Sequence, residues 1–306
     1  MSLTLFIMQC LNGLQLGVLL FLMAAGLTLV FGIMNFVNLA HGSLYMMGAF
    51  IAATVYNHTG SFALAAIAII PAMLLIGLIV EFVALKTLYD RDHLDQVLAT
   101  FGLILFFNEL ARMIWGPSPY YMEVPEWLGG TIDLFGLQYP AYRFLIIVVG
   151  LAVALGCYLL IHRTRIGMLI RAGATHRQMV GALGVNIVLL NSLLFGLGAI
   201  LAGIAGLMAG PILSVQPGMG EPILILTMVV IVIGGIGSVR GAFLAALIVG
   251  VVDTVGRTLL PTLLRSLMER STADTAGPAL ASMLIYLVMA AVLAVRPQGL
   301  FPVKHG

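Results

Sequence analysis

An all-α polytopic membrane bundle of eight or nine spans is the fold class this sequence predicts, as a single membrane domain over residues 1–306. Three observations predict it. Of the 306 residues, 61% are hydrophobic and only 8% charged, where a soluble domain carries about 45–50% and about 25%; the mean hydropathy is +1.13. Apolar runs near the roughly 20 residues a helix needs to cross hydrocarbon recur along the whole chain. The charges fall mainly between those runs or toward their ends. The same numbers exclude an ordinary cytosolic enzyme and a disordered chain. Fourteen Lys/Arg against twelve Asp/Glu leave a net charge of +2, so no nucleic-acid partner is implied.

Breaks at charges, prolines and glycine clusters divide the chain. Spans are expected at 5–31, 43–56, 62–85, 97–115, 142–161 and 187–208. A long apolar region at 223–256 follows, interrupted by Gly234-Gly235-Ile236-Gly237-Ser238-Val239-Arg240-Gly241, and a last span lies at 277–295. The count is eight if the interrupted region is one span and nine if it is two. The start reads as a span and not as a signal peptide, having no basic n-region before its apolar core. Cys10 and Cys157 lie in apolar runs and read as small hydrophobes.

Basic residues set the orientation. Arg163, Arg165, Arg171 and Arg177 crowd one segment, and no acid occurs between Asp133 and Glu221; that segment is expected on the cytoplasmic side. The 116–140 loop carries Glu123, Glu126 and Asp133, no Lys or Arg, and several interfacial aromatics; it is expected outside. Residues 86–93 and the tail with Arg296 and Lys304 then fall inside. The 258–276 loop falls outside despite Arg265 and Arg270, a weak violation. The side of the N-terminus stays open. Gly198, Ala202, Gly206 and Gly210 form a small-residue row on the sixth span, suited to close helix packing.

No nucleotide or catalytic signature is present: no G-x-x-x-x-G-K-[ST], no H-E-x-x-H, no G-x-S-x-G. The glycines at 234–241 have the wrong spacing for a dinucleotide fingerprint and read as a break in an apolar run. Non-helical backbone at membrane depth is tolerated only where protein or water covers it. Asn35, Asn38 and His41, flanked by Gly32 and Gly42, suggest a second break near 32–42. It is either a re-entrant helix break that lines the solute path or a plain loop whose side chains cap helix ends. With Gly235, Gly237 and Ser238 these are the pathway candidates. Glu109–Arg112 and Asp253–Arg257 share helix faces and read as structural pairs, with Asn108 beside the first. Glu221 is expected at the outer mouth, meeting solute or a docking protein, or simply solvated. The stretch 163–186 mixes Gly, Ala, Arg and apolar residues without an acid, and fits a short amphipathic helix pair that presents a surface to a soluble partner.

That stretch carries a resemblance. Gly167-x-x-x-Arg171-Ala172, followed by Met179, Ala182, Leu183, Gly184 and Val185, resembles the cytoplasmic coupling segment (162–186 here) of the branched-chain amino-acid ABC transporter permeases. Gly26–Met34 with Asn38-Leu39-Ala40-His41-Gly42 is similar to the family's N-terminal signature. Gly234–Ser238 with Gly241-Ala242 is similar to its C-terminal one, and Arg296-Pro297-Gln298-Gly299-Leu300-Phe301 to its tail. The motifs run in order along nearly the whole chain, and the layout looks like the H-type permease subunit. Two departures are Leu39, where the family often has Phe, and the more basic Thr175-His176-Arg177.

The resemblance implies a permease subunit of an ATP-driven importer for branched-chain or other hydrophobic amino acids, in a bacterial inner membrane. Its partners would be a second homologous permease, two cytosolic ATP-binding subunits that hold ATP and Mg, a periplasmic solute-binding protein and the lipid bilayer. No cofactor is expected in this chain, and no covalent chemistry. Urea, short amides and aromatic acids are alternative substrates. A secondary transporter or channel is the rival class. It would use mid-membrane carboxylates, whereas Glu81, Glu109 and Asp253 all lie toward expected helix ends.

Overall fold

The computed structural model describes residues 3–301 except 90, 135, 176 and 267, so His176 and Lys304 lie outside the described residues. The chain is almost entirely helical. In order it forms α1 (Leu3–Met34), α2 (His41–Thr59), α3 (Phe62–Val80), α4 (His93–Trp115), α5 (Ala141–Arg163), the short α6 (Arg165–Thr175) and α7 (Arg177–Ala182), α8 (Ile187–Ala209), α9 (Gly220–Gly234), α10 (Val239–Leu264) and α11 (Arg270–Val295). Seven of these are long and apolar enough to cross a membrane: α1, α3 with its continuation to Leu88, α4, α5, α8, α10 and α11. The interrupted apolar region is two helices, α9 and α10.

Charge defines the two ends of the bundle. The basic end gathers Lys86, the end of α5, α6–α7 and Arg296; the opposite, acidic end carries the 116–140 loop. That loop contains an unforeseen hairpin, β1 (Thr131–Leu134) with β2 (Leu137–Pro140). Asn12 ties α1 to it: its Oδ1 accepts from Tyr139 Oη (3.3 Å) and from an Arg143 guanidinium nitrogen (2.7 Å). The start of α1 therefore lies at the acidic end. Arg265 is bonded to Asp274 at 2.7 Å, which offsets one of the two basic charges in the 258–276 loop.

At its centre stands α1, with 78% of its most apolar window buried, against 11% for the peripheral α11, whose apolar surface suits lipid. Without a hydrophobic force between helices in lipid, close packing holds them together, and small residues permit it. A Cβ on Gly13 would stand 2.6 Å from Val251 Cα, and one on Gly17 would stand 2.7 Å from the Ala246 carbonyl, so α1 lies directly on α10. A Cβ on Gly48 would stand 2.5 Å from Gly203 Cα, and Gly206 meets the backbone of Tyr45 and Ala49, so α2 lies on α8. Within the small-residue row on the sixth span, Gly206 thus meets α2, while Gly198 lies against Gly26 of α1.

The two short elements α2 and α9 share one plan. After each of the long helices α1 and α8, the chain turns back into the bundle and only then starts a shorter helix. His41, the first residue of α2, is buried, and its Nε2 donates to the carbonyl of Met23 (3.1 Å). Met23 lies about 16 Å up α1 from Met34, at 1.5 Å per residue. Residues 35–40 therefore climb back to mid-bundle. From there α2 runs to the acidic end, where Trp115 Nε1 donates to Thr54 (2.7 Å). In the second half, residues 210–219 fold back from the acidic end, bridged by Tyr120–Val215, and α9 runs from mid-bundle to the basic end. The two half-helices point in opposite directions, with their first turns in contact at Gly42 and Gly220.

Gly17→Val should drive α1 off α10 and cost about 1–3 kcal/mol of stability, the usual penalty of overpacking. Gly156→Val should cost little, because a Cβ there meets nothing within 4 Å. Thermal unfolding of the two variants in the same detergent, followed by the loss of monodisperse protein, separates them.

Candidate functional site

Residues 35–40 are neither helix nor simple linker. Asn35 adopts φ 48° directly after α1, the left-handed conformation that ends a helix and that Asn tolerates better than most residues. Its amide still donates to Phe31 (2.9 Å), and its side chain is exposed. Asn35 thus turns the chain. Asn38 is fully buried, and neither polar atom of its side chain has a hydrogen-bond partner. The segment is held from the basic side: Gln96 Oε1 accepts from Val37 N (3.3 Å), and Phe36 meets the Tyr89 ring edge to face.

Gly42 and Gly220 touch where α2 and α9 begin; a Cβ on Gly42 would lie 2.6 Å from the Gly220 carbonyl. Two helix N-termini, the partially positive ends of their helix dipoles, therefore converge, with Ser43 N and Leu44 N donating to Ala40 O (3.0 and 3.2 Å) and Glu221 N to Gly218 O (3.4 Å). Glu221 sits in the first turn of α9, where a carboxylate is favoured. Its Oε1 accepts from Asn108 Nδ2 (2.6 Å), and Asn108 Oδ1 accepts from Gly218 N (3.1 Å). A narrow pocket at this junction is lined by Gly42, Ser43, Met46, Asn108, Glu221 and Leu224. Sequence reasoning set Glu221 at the outer mouth and Asn108 beside the Glu109–Arg112 pair. That pair forms (2.9 Å), but Asn108 turns away to α9. Ser43, Met46 and Leu224 were missed, because nothing in their spacing links α2 to a helix about 180 residues on.

Gly235, Gly237 and Ser238 lie at the basic end. Gly235 (φ 100°) and Gly237 (φ 82°) adopt backbone that favours glycine and turn α9 into α10. Ser238 caps α10, its Oγ accepting from Gly241 N (3.1 Å). The tail closes this break: Leu300 N donates to Ile233 O (2.9 Å) and Phe301 N to Gly234 O (3.0 Å), satisfying carbonyls that α9 leaves free. The break still meets the first one, since Gly32 packs on Gly237 and Ile236 shares a cavity with Asn38.

On the basic face the 162–186 segment forms the expected helix pair. Gly167 is pressed against the carbonyls of Leu160 and Ile161 with no space for a side chain, and Arg171 donates to the Ile161 carbonyl. These two residues fold α6 onto the end of α5. Ala172 is half-buried. Gly184 (φ 86°) closes α7: Val185 N reaches Val180 O (3.3 Å) and Gly184 N reaches Gly181 O (3.0 Å), the Schellman pattern that needs a left-handed residue. Met179, Ala182 and Gly184 are on the outside. With Met168 (56% exposed) and Leu183 (78%), Met179 (63%) forms an apolar set on a basic surface. The buried carboxylate of Glu81, in a π turn at the end of α3, accepts from Tyr89 Oη (2.8 Å) and Ser192 Oγ (2.9 Å). Among the described residues no three His, Cys, Asp or Glu side chains group as metal ligands.

Comparison with known proteins agrees with this layout. The sequence profile of the family described as branched-chain amino acid transport system / permease component matches residues 9–293. The high-affinity branched-chain amino acid transport system permease protein BraD of Pseudomonas aeruginosa is 30% identical, over 96% of this chain and 95% of its own. The permease protein LivH of Salmonella typhimurium is 28% identical over 84% and 88%. A probable LivH of Methanocaldococcus jannaschii is 25% identical over 78% and 76%. No solved structure gives a significant match. With its multi-pass bundle, its paired half-helices and a family profile matched over nearly its full length, this chain belongs to the branched-chain amino acid transport permease family.

Proposed function

We propose that the chain is the transmembrane permease subunit of an ATP-driven importer for branched-chain or other hydrophobic amino acids, working by alternating access in a bacterial inner membrane. The observation that carries this reading is the meeting of α2 and α9, N-terminus to N-terminus, in mid-bundle. Broken helices of this kind turn the positive ends of half-helix dipoles toward an anionic solute group and are a recurrent device of transporters. The names of the relatives support the substrate class. The partners are a second homologous permease, two cytosolic ATPases that hold ATP and Mg, and a periplasmic binding protein that delivers solute to the acidic face. This chain contributes no nucleotide site and no covalent step.

In this reading solute passes from the acidic-end pocket at Ser43, Asn108 and Glu221 to the cavity beside Asn38 in the first break. The exposed apolar set on α6–α7 receives the ATPase. Movement there enters α8 directly, since Asn186 caps α8, accepting from Leu189 N (3.0 Å). Further along α8, Ser192 holds Glu81; Glu81 holds Tyr89, and Tyr89 packs on Phe36 of the re-entrant segment. The partner need only bind one of two bundle states better than the other to drive the exchange. A secondary transporter gains little support: the Asp253 carboxylate is paired with Arg257 (2.8 Å), and the Glu81 carboxylate is hydrogen-bonded at the basic end.

The test is purification in mild detergent and reconstitution with the partner subunits. Two ATPases and a second permease should accompany the wild-type chain, and uptake should require ATP. A lone chain that moves solute down its gradient would overturn the reading. Leu183→Glu should insert normally, yet lose co-purifying ATPase and cut ATP-driven uptake by about tenfold or more, the scale of an interface hot spot. Glu81→Leu should keep the ATPases bound and hydrolysing while uptake falls by about tenfold, the size of a coupling free energy between distant sites. The ratio of solute moved to ATP hydrolysed measures that uncoupling.

A further inference from the structure

An unpaired amide deep in a membrane bundle calls for an explanation. Asn38 is wholly buried and neither of its side-chain polar atoms is bonded. It lines a cavity of about 50 Å³ whose remaining walls are hydrocarbon, from Leu27 and Val37 on one side and Met228, Ile231 and Val232 of α9 on the other, with Ile236 at the partly exposed edge. Space for one water takes about 10–15 Å³, so the cavity has room for about four non-hydrogen atoms. Apolar walls with one group that both donates and accepts describe a pocket for a small amphipathic molecule.

We propose that this cavity is the inner side-chain pocket for a branched aliphatic amino acid, occupied as solute leaves the α2–α9 junction for the basic end. The branched alkyl chain enters between α1 and α9. The polar head stays at Asn38, whose amide nitrogen donates to the solute carboxylate and whose oxygen accepts from its ammonium. This rests on the reading of the chain as an amino-acid permease and narrows it. Urea and short amides leave the apolar walls unfilled, an aromatic ring overfills the space, and an acidic side chain would be stripped of water there without a partner.

The experiment uses the complete transporter with its binding protein, in liposomes, and compares leucine with valine uptake in wild type, Val232→Ile and Asn38→Leu. Val232→Ile adds one carbon to the wall. It should lower kcat/KM for leucine relative to valine by about tenfold, within the range for one methylene in a hydrophobic pocket. Asn38→Leu removes both polar atoms at similar volume. It should leave thermal stability equal or higher, and cut uptake of both solutes by about tenfold or more while leaving their ratio unchanged, as loss of a shared polar contact does. Wild type that imports both solutes, with a ratio unmoved by Val232→Ile, overturns the pocket and leaves the permease reading standing. Normal uptake by Asn38→Leu overturns the role of the amide. Wild type that hydrolyses ATP and imports neither solute overturns the amino-acid reading and the pocket with it.

Discussion

The backbone contact between Gly42 and Gly220 governs the arrangement of the bundle. Half-helices in a membrane protein leave unpaired amides at their starts, and such groups are tolerated only inside protein or beside water. Placing the two starts against each other buries both at once. It also requires everything around them: extended segments that carry the chain back to mid-depth, long helices α1 and α8 to shield those segments, and side chains that hold the second start in place. Asn108 does this for α9, bonding both Glu221 and the amide of Gly218. A side chain at either glycine would separate the two starts.

The plan repeats with inverted sense. Helix α1, its return segment and α2 correspond to α8, its return segment and α9, and the second set runs in the opposite direction through the bundle. The halves differ in how their breaks are held. The first is fastened from the basic side by Gln96 and Tyr89, which belong to the connection between α3 and α4 and to the start of α4. The second is fastened from the acidic side by Asn108 and by the Tyr120–Val215 bridge. Each re-entrant segment is therefore held from the face of the protein opposite the other's.

Much of this was legible in advance, for reasons that differ by element. Long apolar runs bounded by charge gave α3, α4, α5 and α8 to within a few residues, because in lipid length and hydropathy nearly suffice. The short helix pair α6–α7 was legible from acid-free amphipathic composition. The breaks were legible as glycine and asparagine inside apolar sequence, but their depth was not. Nothing local states that His41 reaches Met23, or that residues 234–238 sit at the basic end under the tail. The partner of Glu221 was not legible either: a proline and two glycines beside a charge look like a surface loop, and only the fold brings Asn108 to the carboxylate. Asn35, expected in the pathway, also carries the left-handed backbone that ends α1.

The closing of α9 by Leu300 and Phe301 bears on how the protein is made. The carbonyls of Ile233 and Gly234 find partners in Leu300 and Phe301, residues that follow α11. During synthesis α9 enters the membrane with its end unfinished and keeps it so while α10 and α11 are threaded. The tail is thus a stitch through the wall of the bundle. The end of α9 is complete only once residues 300 and 301 have been made and have folded back, and a chain stalled earlier would carry an open helix end.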